Sequence, residues 1–393
     1  MATDVYLAGT ARTAIGAFNG VFADVSATEL ASQVIKSALE RSGAPKDAVD
    51  EVIMGCVLTG GLGQNIARQA TLGAGLPVSC GATTVNKMCG SAMRSVRMAA
   101  QAIQCGDAGV VVAGGTENMT RAPYLLLKGR SGYRMGHGEV FDSLILDGLA
   151  DAFDHKHMGE HAERCAEKYG FTREQQDEFA VASYKRAIDA TKSGHSRSEI
   201  CPVEIATKKA KITVEIDEEP TKFNEEKLRS LRPAFQRDGT ITAGNASSIS
   251  DGAAAMVVAS ADKVKSLQLR PQARILGYAS VAVEPPWFTI APIHAIRRLL
   301  DRCSLRSGDV DLFEINEAFS AVVLASMKDL ELPHDKVNTL GGAVAIGHPI
   351  GASGARILVT LINALRVHKR RIGVAAACIG GGEAGAIAIE RCE

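Results

Sequence analysis

Apolar positions along the chain fall into short, recurring blocks. Val5-Tyr6-Leu7-Ala8 has the length of a buried strand. From Ala27 to Arg41, the residues Leu30, Val34, Ile35, Ala38 and Leu39 recur at helical spacing, and Gly43 stands where a stop is expected. Val49 to Val57 predicts a second strand. Cys89 to Cys105 predicts a second helix, with Met93, Val96, Ala100 and Ile103 on one face. Ala108 to Ala113 predicts a strand that ends at Gly114-Gly115. Strands alternating with helices predict an α/β fold with a mostly parallel sheet.

The pattern returns near the end of the chain. Val34 to Arg41 matches Ala295 to Arg302 at an offset of 261 (295 − 34), which holds through Val49-Asp50 and Val310-Asp311. Val110 to Gly115 matches Ala376 to Gly381 at 266 (376 − 110), which predicts about one extra turn in a helix from Ser353 to His368. Two matches in the same order predict a duplicated α/β domain. Residues 1–119, completed by about 246–270, form the first half, and residues 271–393 the second. Residues 120–245 read as an inserted loop domain. It holds a Gly/Arg-rich stretch from Lys128 to Gly136, two polar helices near 158–168 and 173–192, and a charged segment from Lys208 to Glu226.

Composition narrows the function. Of 393 residues, 44 are Lys or Arg and 44 are Asp or Glu, so there is no overall field to draw nucleic acid or an anionic membrane. The basic runs Lys208-Lys209-Ala210-Lys211 and Arg366-Val367-His368-Lys369-Arg370-Arg371 are too short to change that. No apolar stretch approaches the ~18 residues of a membrane span, and neither terminus carries a targeting pattern. Nine scattered cysteines without a CxxC pair predict reduced thiols in a cytoplasmic setting, with no disulfide framework and no metal site. Glycine is abundant and clustered, at 60–61, 114–115, 341–342 and 380–382.

Four residues stand where chemistry is expected. Cys89, between a short strand and a helix, would feel the unpaired N–H groups of the helix start, which lower a thiol's pKa. Cys378 ends an apolar strand and opens Gly380-Gly381-Gly382, whose bare N–H groups could hold an oxyanion. His348, in Gly347-His348-Pro349, sits on a rigid loop before a helix and is a candidate base. Asn316 directly follows the strand Leu312 to Ile315, at the sheet edge where α/β proteins bind ligands. Singly, each also fits a plain structural role, as a buried thiol, a tight turn or a hydrogen-bonded imidazole. Jointly they suggest covalent acyl transfer with proton transfer at carbon.

Arg12-Thr13-Ala14-Ile15-Gly16, Asn86-Lys87-Met88-Cys89-Gly90-Ser91, Gly114-Gly115-Thr116-Glu117-Asn118-Met119, His157-Met158-Gly159, Gly244-Asn245-Ala246-Ser247, Asn316-Glu317-Ala318-Phe319, Gly347-His348-Pro349-Ile350-Gly351-Ala352-Ser353-Gly354 and Cys378-Ile379-Gly380-Gly381-Gly382 form an ordered series over nearly the whole chain. That series resembles the thiolase family, and within it the acetyl-CoA acetyltransferases. The resemblance implies duplicated halves in a layered αβαβα core with an inserted loop domain. It also implies condensation of two acetyl-CoA to acetoacetyl-CoA, or the reverse thiolysis, through an acyl-cysteine.

By the same resemblance Cys89 would be acylated, His348 would take its proton, and Cys378 would remove a proton from the second acyl-CoA. Asn316 would hold a water that, with His348, stabilises the enolate oxygen. The N–H groups of Cys89 and Gly380 would hold the acyl oxyanion. Coenzyme A would touch Leu149, His157, Met158, Phe235, Ala243, Ser247, Ala318 and Phe319, with Lys222 the one basic residue in the stretch that meets the adenine end. No separate cofactor or metal is implied, and the Tyr133–Met135 stretch resembles a tetramerisation loop, so a homotetramer is expected. Phe288 stands where the family commonly has Met, which predicts a ring filling acyl space and a short-chain substrate. Glu383-Ala384 replaces the usual Met-Gly or Gln-Gly after the triple glycine. The alternatives are a longer-chain 3-ketoacyl-CoA thiolase and a non-catalytic acyl-CoA or lipid binder. A β-ketoacyl synthase fits less well, because that family has His where Cys378 stands.

Overall fold

The apolar blocks become strands and helices stacked in layers, each buried on the faces its pattern specifies. The structure, a computed structural model, describes residues 3–206 and 210–392. Lys208 and Lys209 of the first basic run lie outside the described residues. Nine main strands carry the fold: β1 (Val5–Arg12), β2 (Glu51–Gly55), β3 (Gly81–Val85), β4 (Val110–Asn118), β5 (Ser250–Ser260), β6 (Pro271–Ala282), β7 (Leu312–Ile315), β8 (Ile372–Ile379) and β9 (Glu383–Arg391). They pair in the order β7-β8-β9-β6-β1-β5-β4-β2-β3, with the short Gly16–Ala17 segment added beside β5.

Outward from the central β1–β6 pair, the first half runs β1-β5-β4-β2-β3 and the second β6-β9-β8-β7. Each second-half strand occupies the place of its first-half counterpart. In the parallel pairs Glu51 opposes Val111 and Leu312 opposes Gly373, one arrangement repeated. A fifth position in the second half is marked by a single bridge from Phe313 to Val337.

The expectation of a mostly parallel sheet is corrected. Only β2–β3, β2–β4 and β7–β8 are parallel, while β1–β5, β1–β6, β4–β5, β6–β9 and β8–β9 are antiparallel. The reason is local: the Gly380–Gly382 turn folds β9 straight back on β8, and β5 enters its half from the insert rather than by a helical crossover.

Helices sort by burial. α1 (Ala27–Ser42) starts on a Ser26/Glu29 capping box and stops at left-handed Gly43. It covers the outer face of the first half, against Ala253, Ala255 and Val257. α2 (Ser91–Cys105) and α7 (Ser353–Val367) lie in the middle, packed on the inner residues of both halves, among them Val111, Met256, Ala375 and Ile387. Gly354 lets them approach, because a Cβ there would strike Met93. α5 (Ala291–Cys303) covers the outer face of the second half. Helices therefore lie outside, between and outside the two sheet halves. In the insert, α3 (Met158–Tyr169) and α4 (Arg173–Lys192) pack on α6 (Ser320–Leu330).

Two further sequence expectations change. β4 does not stop at Gly114-Gly115 but runs through them to Asn118. These glycines serve close approach, not a turn: side chains there would strike Ala254 of β5 and Gly351 of the His348 loop. The extra helical turn is also absent. α2 and α7 have 15 residues each, and 353 − 91, 367 − 105 and 372 − 110 all give 262. The apparent offset of 266 came from matching two small-residue runs four positions out of structural register.

Candidate active site

Cys89 sits in the turn from β3 to α2. Met88 holds positive φ (45°), and its N–H donates to Asn86 Oδ1 at 3.0 Å. Ser91 Oγ accepts from Lys87 N–H at 2.8 Å and donates to Met88 O at 2.7 Å, which locks the turn. Gly90 has no room for a side chain because Ile379 of β8 lies against it. The nucleophile turn of one half thus touches the strand end of the other. A Lys87–Glu383 ion pair ties the same two segments from the side.

The backbone N–H groups of Gly380 and of Cys89 itself favour the thiolate form of Cys89. Two N–H donors beside a nucleophile are the material from which an oxyanion hole is built. Burial outweighs them and pushes the thiol up to about 11. This corrects the expectation of a lowered pKa: the helix begins at Ser91, two residues beyond Cys89, and desolvation exceeds the pull of its N–H groups. The thiol of Cys378, fully buried at the end of β8, is likewise raised, by burial and by the nearby Cys89.

His348 is buried on the loop before α7, and burial with the Arg356 charge pushes its imidazole down to about 3. Its Nδ1 lies 2.6 Å from Ser353 Oγ, whose hydroxyl donates to Pro349 O at 2.8 Å. One hydroxyl proton cannot serve both contacts, so Ser353 accepts from Nδ1–H and Nε2 is left as the basic nitrogen. Asn316 Nδ2 stands 3.4 Å from Nε2 and 3.5 Å from Nδ1. Arg356, fully buried in α7, reaches Asn316 Oδ1 at 3.4 Å and pairs with Glu314 at 3.1 Å. Glu117 binds the loops together from below. It accepts from the N–H groups of Val57, Leu58 and Gly351 at 2.9–3.0 Å, and burial raises its carboxyl to about 7.

A cavity of ≈ 420 Å³ opens beside this cluster, with Leu58, Met88, Pro123, Asp151, Met158 and Gly380 among its walls. Leu149, Met88 and Cys89 pack against one buried cluster that includes Leu58 and Ile350. His157 stacks on Phe235 (4.7 Å), Phe235 meets Phe319 edge-on (6.2 Å), and Ser247 binds Ala318 O through both N–H and Oγ. Of the residues expected at coenzyme A, Met158 lines this cavity, while Leu149, the His157–Phe235–Phe319 aromatic row and the Ser247–Ala318 link lie outside its wall. Three further residues of the expected set stand apart. Ala243 is exposed on a turn. Lys222 is committed to Glu218 and Glu219. Phe288 is 3 % exposed, packed edge-on against Phe319 at 6.4 Å, and is not part of the cavity wall. The adjacent Trp287 faces Arg164 and Lys168 of α3.

Sequence reasoning missed Ser353, Arg356, Glu314 and the role of Glu117. An arginine on an otherwise apolar helix stretch was the available signal.

This constellation, split between two halves of a duplicated fold, defines an acyl-transfer type of site. The family model described as "Thiolase, N-terminal domain" matches residues 5–262, and "Thiolase, C-terminal domain" matches 269–391. The chain belongs to the thiolase family. It is 49 % identical over 390 residues to an acetyl-CoA acetyltransferase of Pseudomonas aeruginosa (99 % of each chain). It is 51 % identical over 382 residues to one of Escherichia coli (97 % of each). The crystal structure of the Bacillus anthracis acetyl-CoA acetyltransferase superposes with a TM-score of 0.97 at 41 % identity, covering 100 % of this chain and 99 % of that one. An Ascaris suum thiolase in complex with coenzyme A gives 0.94 at 45 %, covering 99 % and 100 %.

Proposed function

We propose that the protein is an acetyl-CoA C-acetyltransferase that condenses two acetyl-CoA to acetoacetyl-CoA and coenzyme A, and runs the reverse thiolysis at the same site. The observation that carries this reading is the meeting of the two halves at Cys89: Ile379 of the Cys378–Gly382 segment lies against Gly90, and Cys89 packs on the cluster that holds Ile350 of the His348 loop, where the buried imidazole has its Nδ1 occupied. Cys89 transfers its proton to His348 Nε2 and attacks the thioester carbonyl. The C–S bond to coenzyme A breaks, and the departing thiolate takes the proton back from His348. Cys378, its own proton ceded to His348, then removes a proton from the methyl group of the second acetyl-CoA. The carbanion attacks the acetyl-Cys89 carbonyl, the Cys89 C–S bond breaks, and His348 reprotonates Cys89.

Gly380 and Cys89 hold the first oxyanion, and Asn316 serves the enolate oxygen through a water. Relatives named acetyl-CoA acetyltransferase over the full length support the short-chain reading. Exclusion of longer chains belongs to the cavity walls, with Phe288 acting only as backing for Phe319.

The wider reading is a homotetramer in the cytoplasm. Tyr124, Leu126, Leu127, Tyr133, Met135 and Val140 project exposed from one segment of the insert, which supports burial against a second copy. Nine free thiols support a reducing compartment.

The test is acetylation mapping with chain-length kinetics. Labelled acetyl-CoA leaves its acetyl group on Cys89, and Cys378→Ser still acylates but no longer condenses. Acetoacetyl-CoA is cleaved at least about tenfold more efficiently than 3-ketohexanoyl-CoA, the lower end of discrimination for added methylenes. Label on Cys378 would overturn the assignment of roles, and equal kcat/KM for both substrates would overturn the short-chain reading.

A further inference from the structure

Beside the cavity, a tight hairpin carries a cluster that the acyl chemistry does not use. Ala150 and His157 face each other as an antiparallel bridge, and Asp151 N–H donates to Lys156 O at 2.8 Å. Asp151 Oδ1 accepts from the N–H groups of Phe153 (2.8 Å) and Asp154 (3.1 Å). Its Oδ2 is buried and bonds nothing. Three residues into α3, His161 is wholly buried, and neither ring nitrogen makes a hydrogen bond. Asp154 Oδ1 accepts from Lys156 N–H at 3.1 Å and otherwise faces His161. One ligand atom each from Asp151, Asp154 and His161 lies within 4.8 Å of the others.

Two features point to an ion here. Buried polar atoms are nearly always satisfied, and this spot holds three that are not, from two side chains. The His161 Nε2–Asp154 Oδ1 separation is 3.3 Å, out of line for a hydrogen bond. Two ligands of one tetrahedral ion, each about 2.0–2.1 Å from the metal, stand roughly 3.3–3.4 Å apart. The donor set of one imidazole and two carboxylates suits a zinc-class cation. Calcium and magnesium instead take all-oxygen cages. Asp154 lies on the exposed side and gives the ion a way in.

We propose that Asp151, Asp154 and His161 bind one divalent cation of the zinc class, with water in the fourth position. It clamps the hairpin between the cavity wall at Asp151 and the first turn of α3, where His157 stacks on Phe235. The ion takes no part in bond making, and the site was not legible in the sequence because the ligand spacing follows no zinc-motif pattern.

The test is titration of the full chain with Co²⁺, read by visible absorption. One Co²⁺ per chain should bind with the d–d bands of a tetrahedral site and without a thiolate-to-cobalt charge-transfer band. That absence separates the site from Cys89 and Cys378. Asp154→Asn, at the exposed position, and His161→Gln should each weaken binding at least about tenfold while circular dichroism stays that of the parent. Absence of the bands at millimolar Co²⁺, a thiolate band accompanying them, or bands retained in both variants would overturn the proposal.

Discussion

Cys89 and His348 both rest neutral. The thiol is pushed up to about 11 and the imidazole down to about 3, each because burial penalises its charged form. In the proposed cycle, charge then develops only when substrate arrives and its carbonyl oxygen takes up the two N–H donors. A thiol with a raised pKa has a thiolate fraction that grows about tenfold per pH unit at any pH below it. The rate of Cys89 alkylation by iodoacetamide should accordingly climb without a plateau from pH 7 to pH 10. A plateau near neutrality would mean that the helix start, not desolvation, governs the group. The placement of Cys89 between a strand and a helix, and of His348 on the loop before a helix, could be read from the sequence, but the direction of the thiol shift could not. It depends on how much protein covers the sulfur, which no local pattern encodes.

Arg356 shows what one helix can hide. α7 is buried along nearly its whole length, and Arg356 is among its least exposed side chains, joined to Glu314 of β7 and to Asn316 just beyond that strand. It thus links the helix behind His348 to the strand that presents Asn316. Removing one partner of a buried pair typically costs about 3–5 kcal/mol, because the other charge is stranded. Arg356→Met should lower unfolding stability by that order in urea titration, and the double variant with Glu314→Gln should recover part of it. If the single variant loses under about 1 kcal/mol, the pair does not hold this joint. The helix itself was legible to within a residue at its end. Its arginine was not assigned because periodicity reports which face is buried, not which polar group finds a partner there. The glycines of β4 mislead similarly: Gly114-Gly115 reads as punctuation, yet the crowding that demands glycine comes from β5 and the His348 loop, distant in sequence.

At the scale of the molecule, duplication was visible in the sequence through the α1 and α5 regions, at the true offset of 261. The later match slipped by four because runs of Val, Ala and Gly align equally well in several registers. The insert was legible mainly by its polarity. Its exposed apolar segment, with Met135 fully exposed, argues for self-association. Deletion of residues 125–140 should convert tetramers to dimers in analytical ultracentrifugation, and an intact protein sedimenting as a monomer would refute the assembly.

The place of β5 carries a consequence for how the chain is made. β5 lies between β1 and β4, yet it follows β4 by more than 130 residues, and the whole insert intervenes. A ribosome adding about 5–20 residues per second needs some 7–26 seconds to cover that distance. Throughout it the first half has a gap at its centre, with the edges of β1 and β4 unpaired and Val110, Val112 and Leu7 uncovered. The first half therefore cannot close as an independent unit when its own 119 residues have emerged. It waits for a strand delivered late, and for that interval the newborn chain carries open sheet edges of the kind that invite pairing with other chains.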